Sequence, residues 1–352
     1  MRNLRPPADA GRTFITTPDP EHRRAMEEPP GAPPRSVVDG PLVSAIVPTY
    51  GRRPELFRAA VESIRIQTYR NIELVVVDDS PEEVSAWLED DTAGFRDVVR
   101  VRAGDHDGAA AARNTGIRAA DGAFVAFLDD DDRWLERKIE RQLSAFEDES
   151  VGLVCTGQRH SIEGATTDIS IPTVSGDVTE ALLAGAMLGP TSTAMVRIDV
   201  IEDHGEYFDE HLTCWEDKEW YLRLSRHCRF EPVPEPLVDR RSGNYEQLSD
   251  ATDFEHLESA TRPHLLEKHR DLAASFGPRC ERKFVATTAR LLASAALSAG
   301  RYREATRYSL ETLRNNPRSV RGMAYLLASI GGPITYRPLR ALRRTVIRFK
   351  AG

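Results

Sequence analysis

The sequence predicts an α/β fold: a Rossmann-like, mostly parallel sheet flanked by helices, followed by a helical C-terminal region. Three observations point there. Short apolar runs, VSAIV from Val43, IELVVV from Ile72 and AFVAFL from Ala123, read as strands buried on both faces. Segments with helical spacing separate them, which is the alternation of right-handed βαβ units in a doubly wound sheet. Two of the runs stop at carboxylates, Asp78 and Asp79 in one case and Asp129 to Asp132 in the other, so acid collects at one edge of the sheet.

Composition narrows the function. The chain has 352 residues, 40% of them hydrophobic, enough for a sizeable core and two domains plus tails. A net charge of -8, with acid spread along the chain, excludes general nucleic-acid binding. Cys155, Cys214, Cys228 and Cys280 form no CxxC pair and no metal spacing, as expected of structural thiols in a reducing compartment without a zinc site. With no apolar signal core and no uncharged window of about 18 residues, a cytoplasmic location is expected.

Taken in order, residues 1–40 hold eight of the 22 prolines and few large apolar side chains, which predicts a disordered arm. The first strand begins at Val43 and closes at Pro48, which cannot donate to a sheet ladder. Thr49, Tyr50 and Gly51 form a loop. A helix follows from Pro54 to about Tyr69, with proline in its first turn and Leu56, Ala60 and Ile64 on one face. After the strand Ile72 to Val77, a short helix is expected around Glu82 to Leu88 and a third strand at Val98 to Val101. The alanine-rich segment from Gly108 to Gly122 suits a helix packed closely on a sheet. The acidic fourth strand comes next, then a helix with Leu135, Ile139, Leu143 and Phe146 on one face, and a fifth strand from Val151. Residues 161–176 are polar and weakly patterned. GPTSTAMV, Gly189 to Val196, reads as a strand returning toward the acidic edge, and Phe230 to Val238 as a proline-spaced strand. From about Glu246 the pattern is helical, and Ala289 to Pro317 reads as two short helices resembling one tetratricopeptide unit.

The run of four aspartates needs an explanation, because two unit charges about 4 Å apart repel by roughly 4 kcal/mol at an effective dielectric near 20. An acidic solvated turn would satisfy it. So would a divalent cation, and open α/β sheets bind ligands just beyond the carboxyl ends of their strands. Oxygen-only donors suit Mg²⁺ or Mn²⁺. Further on, Glu216 and Asp217 open a helix whose apolar face includes Trp220, Tyr221 and Leu224. The helix dipole alone favours acids there by a few tenths to about 1 kcal/mol.

Taken together, IVPTYGR, VVVDDS, ARNTGIRAADG, FLDDDD followed by Trp134, GPTSTAMVR, FDE and WEDKEWYLRL resemble, in order and spacing, the family 2 glycosyltransferases of GT-A fold. The resemblance spans roughly Val43 to Ser242 and implies a glycosyltransferase domain over 41–245, with 246–352 as a helical region ending in a basic tail. It implies that Pro48, Thr49, Tyr50, Glu55 and Asp79 meet the nucleotide of a nucleotide-diphosphate sugar donor. Gly51 stands where the family often has Asn, removing one side-chain contact. Arg113 matches an arginine near the diphosphate, where a planar guanidinium suits phosphate. Asp129, Asp130 and Asp131 match the aspartate triplet, with Asp131 on Mn²⁺ or Mg²⁺ and Asp130 toward ribose or metal. Asp217 matches the general base and Glu216 its neighbour, which implies inversion at the anomeric carbon. Trp215 and Trp220 could stack on a sugar or belong to the core. His211 and Asn244 lie where such folds place acceptor or late metal contacts, and Cys155 and His160 have only a structural reading.

Other classes fit less well. Haloacid-dehalogenase-like phosphatases carry Asp-x-Asp after the first strand, whereas this cluster follows the fourth. A nucleotide-sugar binding module without turnover would not need Asp217. The acceptor expected is a glycan or polyprenyl-linked glycan. The tail from Ile334 to Gly352, with six cations and no acid, could lie on an anionic membrane at its cytosolic face or cover an acidic neighbour.

Overall fold

The computed structural model describes residues 40–80, 93–104, 108–162, 165–242 and 254–336, all within one compact unit. The arm up to residue 39, the helix expected around Glu82 to Leu88, Asn244 and the tail from Arg337 onward lie outside the described residues. The first half of the unit follows the expected alternation: β1 (Val43–Thr49), α1 (Pro54–Arg65), β2 (Ile72–Asp78), β3 (Asp97–Arg102), α2 (Gly108–Ala119) and β4 (Phe124–Phe127). β1 pairs in parallel with β2 on one side and β4 on the other, and β2 pairs in parallel with β3. Strands flanked by helices on both faces have no polar side to show. Accordingly β2 and β4 are buried at every position, whereas β3, at the edge, is part exposed.

Helix packing explains the small residues. In α1, Phe57, Ala60, Val61 and Ile64 are buried against one face of the sheet. In α2 the alanines bring the helix close to the other face, and Gly116 brings it closer still. A Cβ at Gly116 would stand 2.4 Å from Cγ2 of Ile46 and 3.1 Å from Cγ2 of Val77.

The second half of the sheet is mixed. β5 (Arg133–Trp134), α3 (Lys138–Ala145), β6 (Val151–Ile162), β7 (Ala165–Ser170), α4 (Thr179–Leu183), β8 (Ala194–Arg197), α5 (Ile198–Glu202), α6 (Glu216–Leu224) and β9 (Arg229–Ser242) complete it. The strand order is β3-β2-β1-β4-β8-β6-β9-β5, with β7 on β6. The doubly wound parallel pattern therefore ends at β4, because β8 inserts antiparallel between β4 and β6. β6 and β9 are parallel again. The polar stretch that carries no clear pattern in sequence is largely the β6–β7 hairpin, whose outer strand is mostly exposed and has little apolar patterning to display.

The C-terminal helices are α7 (Phe254–His256), which runs through a π-helical turn at Leu257–Thr261 into α8 (Arg262–Ser275), then α9 (Pro278–Ser298), α10 (Tyr302–Asn315) and α11 (Val320–Ile330). The first of the two expected short helices is thus the end of the 21-residue α9. Ala289, Leu292, Ala293 and Ala296 of α9 pack with Ala305 and Tyr308 of α10 and with Phe254 and Leu257. This bundle also holds the sheet domain. Lys268 of α8 lies 2.6 Å from Asp209 and 2.8 Å from Glu219, and His269 lies 3.0 Å from Glu219.

Candidate active site

Four aspartates leave β4 in a turn closed by Asp132 N–H donating to the Asp129 carbonyl at 3.0 Å, and the turn sends the carboxylates to different partners. Asp130 accepts from the Thr49 hydroxyl at 2.6 Å, tying the β4 end to the β1 end. Asp132 is buried and accepts from the Ser192 hydroxyl at 2.8 Å and, more weakly, from the Arg241 backbone N–H at 3.3 Å. Ser192 in turn accepts from Asp129 N–H at 3.2 Å, and the Arg241 guanidinium donates to the Asp131 carbonyl at 2.8 Å. Burial pushes Asp130 up to about 6, against the Thr49 hydrogen bond and with help from the charges of Asp131 and Asp129. Burial and the same kind of crowding raise Asp132 well above the usual carboxylate range.

Arg113, from the middle of α2, reaches the same edge. Its guanidinium donates to Asp129 at 2.9 Å and to Glu216 at 3.1 Å. Burial would lower its pKa, but the two carboxylates more than reverse that and fix the positive charge. The adjacent Asn114 is buried and pins the loop before α6: its amide donates to the Phe208 carbonyl at 2.9 Å and to Glu210 at 2.7 Å, and its oxygen accepts from Phe208 N–H at 2.8 Å. The ARN of the sequence motif therefore does two separate jobs, charge and loop placement.

The helix α6 starts abruptly. Trp215, just before it, has φ 63°, the left-handed region, and is the single non-glycine residue there among the described residues. The first turn carries Glu216, Asp217 and Glu219, where the helix dipole favours acid. Burial raises the Glu216 pKa, Arg113 opposes that, and Asp217 adds to it. Lys218 Nζ lies 3.5 Å from Asp217, whose side chain keeps about a fifth of its surface exposed (21%).

The structure places the other expected residues as follows. Pro48 is in β1 beside Val77, Tyr50 stacks under Arg52 at 4.8 Å, and Asp79 N–H donates to the Thr49 carbonyl at 2.9 Å. Asp78 accepts from Ser80, and Arg102 lies 3.7 Å away. Glu55 is exposed in the first turn of α1. Trp220 is core: fully buried, stacked on Phe208 at 4.1 Å and edge-on to Phe127 at 5.5 Å. Trp215 packs against the C-terminal bundle. His211 is almost fully exposed and bonded to Asp209, while His160 meets Ser242 at 2.8 Å near the hairpin. Cys155 is buried, and burial pushes its thiol up to about 12. Three residues of the cluster have no role assigned from the motifs: Asp132 and Ser192, which lie within FLDDDD and GPTSTAMVR, and Arg241. The hydroxyl-rich PTST beside the returning strand was the available signal for Ser192.

An apolar cavity of about 70 Å³ lies against α6, α8 and α9, with Leu182, Met187, Trp215, Leu222 and Phe284 in its walls. Asp217 and the strand-end carboxylates are not among them. Among the described residues, no three His, Cys, Asp or Glu side chains converge as a metal cage. Mg²⁺ does not require one, since one or two carboxylates hold it when phosphates and water complete the shell. Asp129 and Asp131 supply hard oxygens, and although burial is the main cause of the raised Asp130, the repulsion that Asp131 and Asp129 add to it is what a cation would relieve. The donor set therefore fits such an ion.

A mixed sheet, parallel through its first half and with carboxylates beyond the β1, β2 and β4 strand ends, joined to a helical region, is the GT-A class of fold. Residues 44–200 match the profile of glycosyl transferase family 2, and over that span the chain is similar to the family. Two Escherichia coli relatives are similar over a little under a third of the chain. They are UDP-Glc:alpha-D-GlcNAc-diphosphoundecaprenol beta-1,3-glucosyltransferases. WfaP is 36% identical over 110 residues, 31% of this chain and 43% of its own length. WfgD is 37% identical over 108 residues, 30% and 42%. The chain spans about half the length, or less, of the curated relatives it matches first. Among solved structures, S. aureus TarS superposes with a TM-score of 0.55 at 19% identity, covering 87% of this chain and 53% of TarS. TarS 1-349 in complex with UDP-GlcNAc gives 0.52, also at 19% identity, covering 78% and 89%.

Proposed function

We propose that the chain is an inverting glycosyltransferase that moves a sugar from a nucleotide-diphosphate sugar to a hydroxyl of a glycan or lipid-linked acceptor. One observation carries the reading: Arg113 joins Asp129, at the β4 end, to Glu216, at the start of α6. That contact brings the expected donor side and the expected acceptor side to one guanidinium, between 2.9 and 3.1 Å from each carboxylate. Thr49, Tyr50 and Asp79, on the β1 and β2 ends, would hold the nucleotide, with Pro48 and Glu55 at the margins of that loop. Asp130, bonded to Thr49, would face the ribose.

In the reaction an acceptor hydroxyl oxygen attacks the anomeric carbon as the bond from that carbon to the diphosphate oxygen breaks. Asp217 takes the hydroxyl proton, and the nucleoside diphosphate leaves with the electron pair. One displacement from one face inverts the configuration. Arg113 carries a permanent positive charge toward the place where negative charge develops, and preorganised charge of this kind stabilises the transition state. Mn²⁺ or Mg²⁺, held by Asp131 with Asp129, would neutralise the leaving diphosphate. Glu216, held by Arg113, would keep that guanidinium in place and help position the acceptor. The names of the E. coli relatives support a UDP-sugar donor and a diphosphate-linked lipid acceptor.

A thermal-shift screen of UDP, GDP and dTDP with and without Mn²⁺ tests donor binding, because a ligand that binds only the native state raises its apparent stability. Transfer is then assayed with Asp131→Ala and Asp217→Asn. Nucleotide binding that survives Asp217→Asn while transfer is lost supports the reading. Transfer at the wild-type rate by Asp217→Asn overturns it.

A further inference from the structure

We infer that the exposed apolar face of α11 seats the protein on an anionic bilayer surface, lying in the interface rather than crossing it. Val320, Met323, Leu327, Ile330 and Ile334 are exposed, at 82%, 47%, 62%, 68% and 84% of their surface. Their spacing of three and four residues places them on one helical face, continued just past the helix end. The opposite face is already used: Gly322, Ala328 and Ser329 are buried, with Thr306 of α10 donating to Ser329 at 2.9 Å. Five large apolar side chains in a row facing water mark a binding surface.

Charge says what covers it. From Arg314 to the last residue the sequence has nine Arg or Lys and no Asp or Glu, in a chain whose net charge is -8. Arg318 and Arg321 flank the start of the apolar stripe, and both are exposed. Pairing with a second copy of the same face would bring two of these cationic segments together. An anionic lipid surface satisfies the apolar stripe and the cations at once. The 11 residues of α11 reach only about 16 Å, and no helix among the described residues is long and apolar enough to cross a membrane.

The inference stands on α11 and is independent of the transfer chemistry. It is tested by flotation of the full chain with vesicles of phosphatidylcholine alone and of phosphatidylcholine with phosphatidylglycerol. Wild type is expected to float with the mixed vesicles at low ionic strength and to be released by high salt. Leu327→Glu/Ile330→Glu is expected to reduce bound protein about tenfold or more, and the milder Leu327→Ala/Ile330→Ala to reduce it less. Both sites are exposed, so melting temperatures should match wild type, and a nucleotide-induced thermal shift retained in each variant keeps donor binding separate from membrane binding. The inference is overturned if wild type does not float with mixed vesicles, or if the Glu variant floats as well as wild type. It is equally overturned if the vesicles stay bare while the Glu substitutions convert a dimer to a monomer in light scattering.

Discussion

The Arg113 guanidinium donates to the Glu216 carboxylate at 3.1 Å, and this contact joins α2 to the first turn of α6. The arginine side chain is 6% exposed and the glutamate 16%. Removing one member of a buried pair leaves an uncompensated charge, a loss of about 3–5 kcal/mol. Arg113→Ala should therefore lower stability by an amount near the bottom of that range, since Asp129 keeps a third of its surface in water, and urea unfolding at pH 7.5 will read it. Arg113→Ala/Glu216→Gln should recover part of the loss. A double variant as unstable as the single one would show that the pair is not coupled.

Asp217 sits in the first turn of α6 with its backbone neighbour Lys218 N–H donating to it at 2.8 Å, an arrangement an amide oxygen can also accept. Asp217→Asn should keep the fold and nucleotide binding and reduce transfer by about 10²–10⁴-fold, the range general base catalysis supplies. Kinetics of transfer beside isothermal titration with the nucleoside diphosphate separate the two effects.

Stability should fall as pH rises through the Asp130 window. Burial and the neighbouring aspartates hold its folded-state pKa at about 6, above the ordinary 3.8, so between those values the folded protein binds more protons than the unfolded chain. The resulting loss grows from about pH 4 to about pH 6 and is then complete, on the order of 2–3 kcal/mol. Asp130→Asn keeps an acceptor for Thr49 and removes the charge. Its melting temperature should equal or trail wild type near pH 4 and exceed it above pH 6. Parallel curves across the range would refute the assignment.

Gly116 lies where α2 touches β1 and β2. An added Cβ meets Ile46 at 2.4 Å, which requires the helix or the strand to shift. Alanine is the better helix former by about 1 kcal/mol, and overpacking a core costs about 1–3 kcal/mol, so the two effects oppose. Gly116→Ala should be destabilising on balance and Gly116→Val more so, as seen by thermal unfolding.

The parallel half of the sheet was legible because strands buried on both faces write themselves as unbroken apolar runs, as Ile72 to Val77 does. Direction is not written that way. Ala194–Arg197 is as apolar as a parallel strand and is in fact antiparallel between β4 and β6, since only the connection preceding it sets its sense. The hairpin at Ala165–Ser170 was illegible for the opposite reason: an edge strand facing water needs no apolar pattern. At the site, Asp129 to Asp131, Arg113, Glu216 and Asp217 stood out as charge where an apolar core should be. Ser192 and Arg241 did not, and Asp132 stood out only as one more acid of the run, because their contribution is a set of mutual hydrogen bonds that exists only once β4, the turn before β8 and the end of β9 are neighbours.

Trp215 bends the backbone into a shape that costs an L-residue about 1–3 kcal/mol, and its side chain packs against the apolar cluster of the C-terminal helices. The bundle thus acts as a brace for the sharp entry to α6, and the two regions cannot be exchanged independently among relatives. A chimera that imports foreign C-terminal helices without a matching residue at 215 should let this corner relax, and the carboxylates just beyond it would lose their aim before the sheet itself was disturbed.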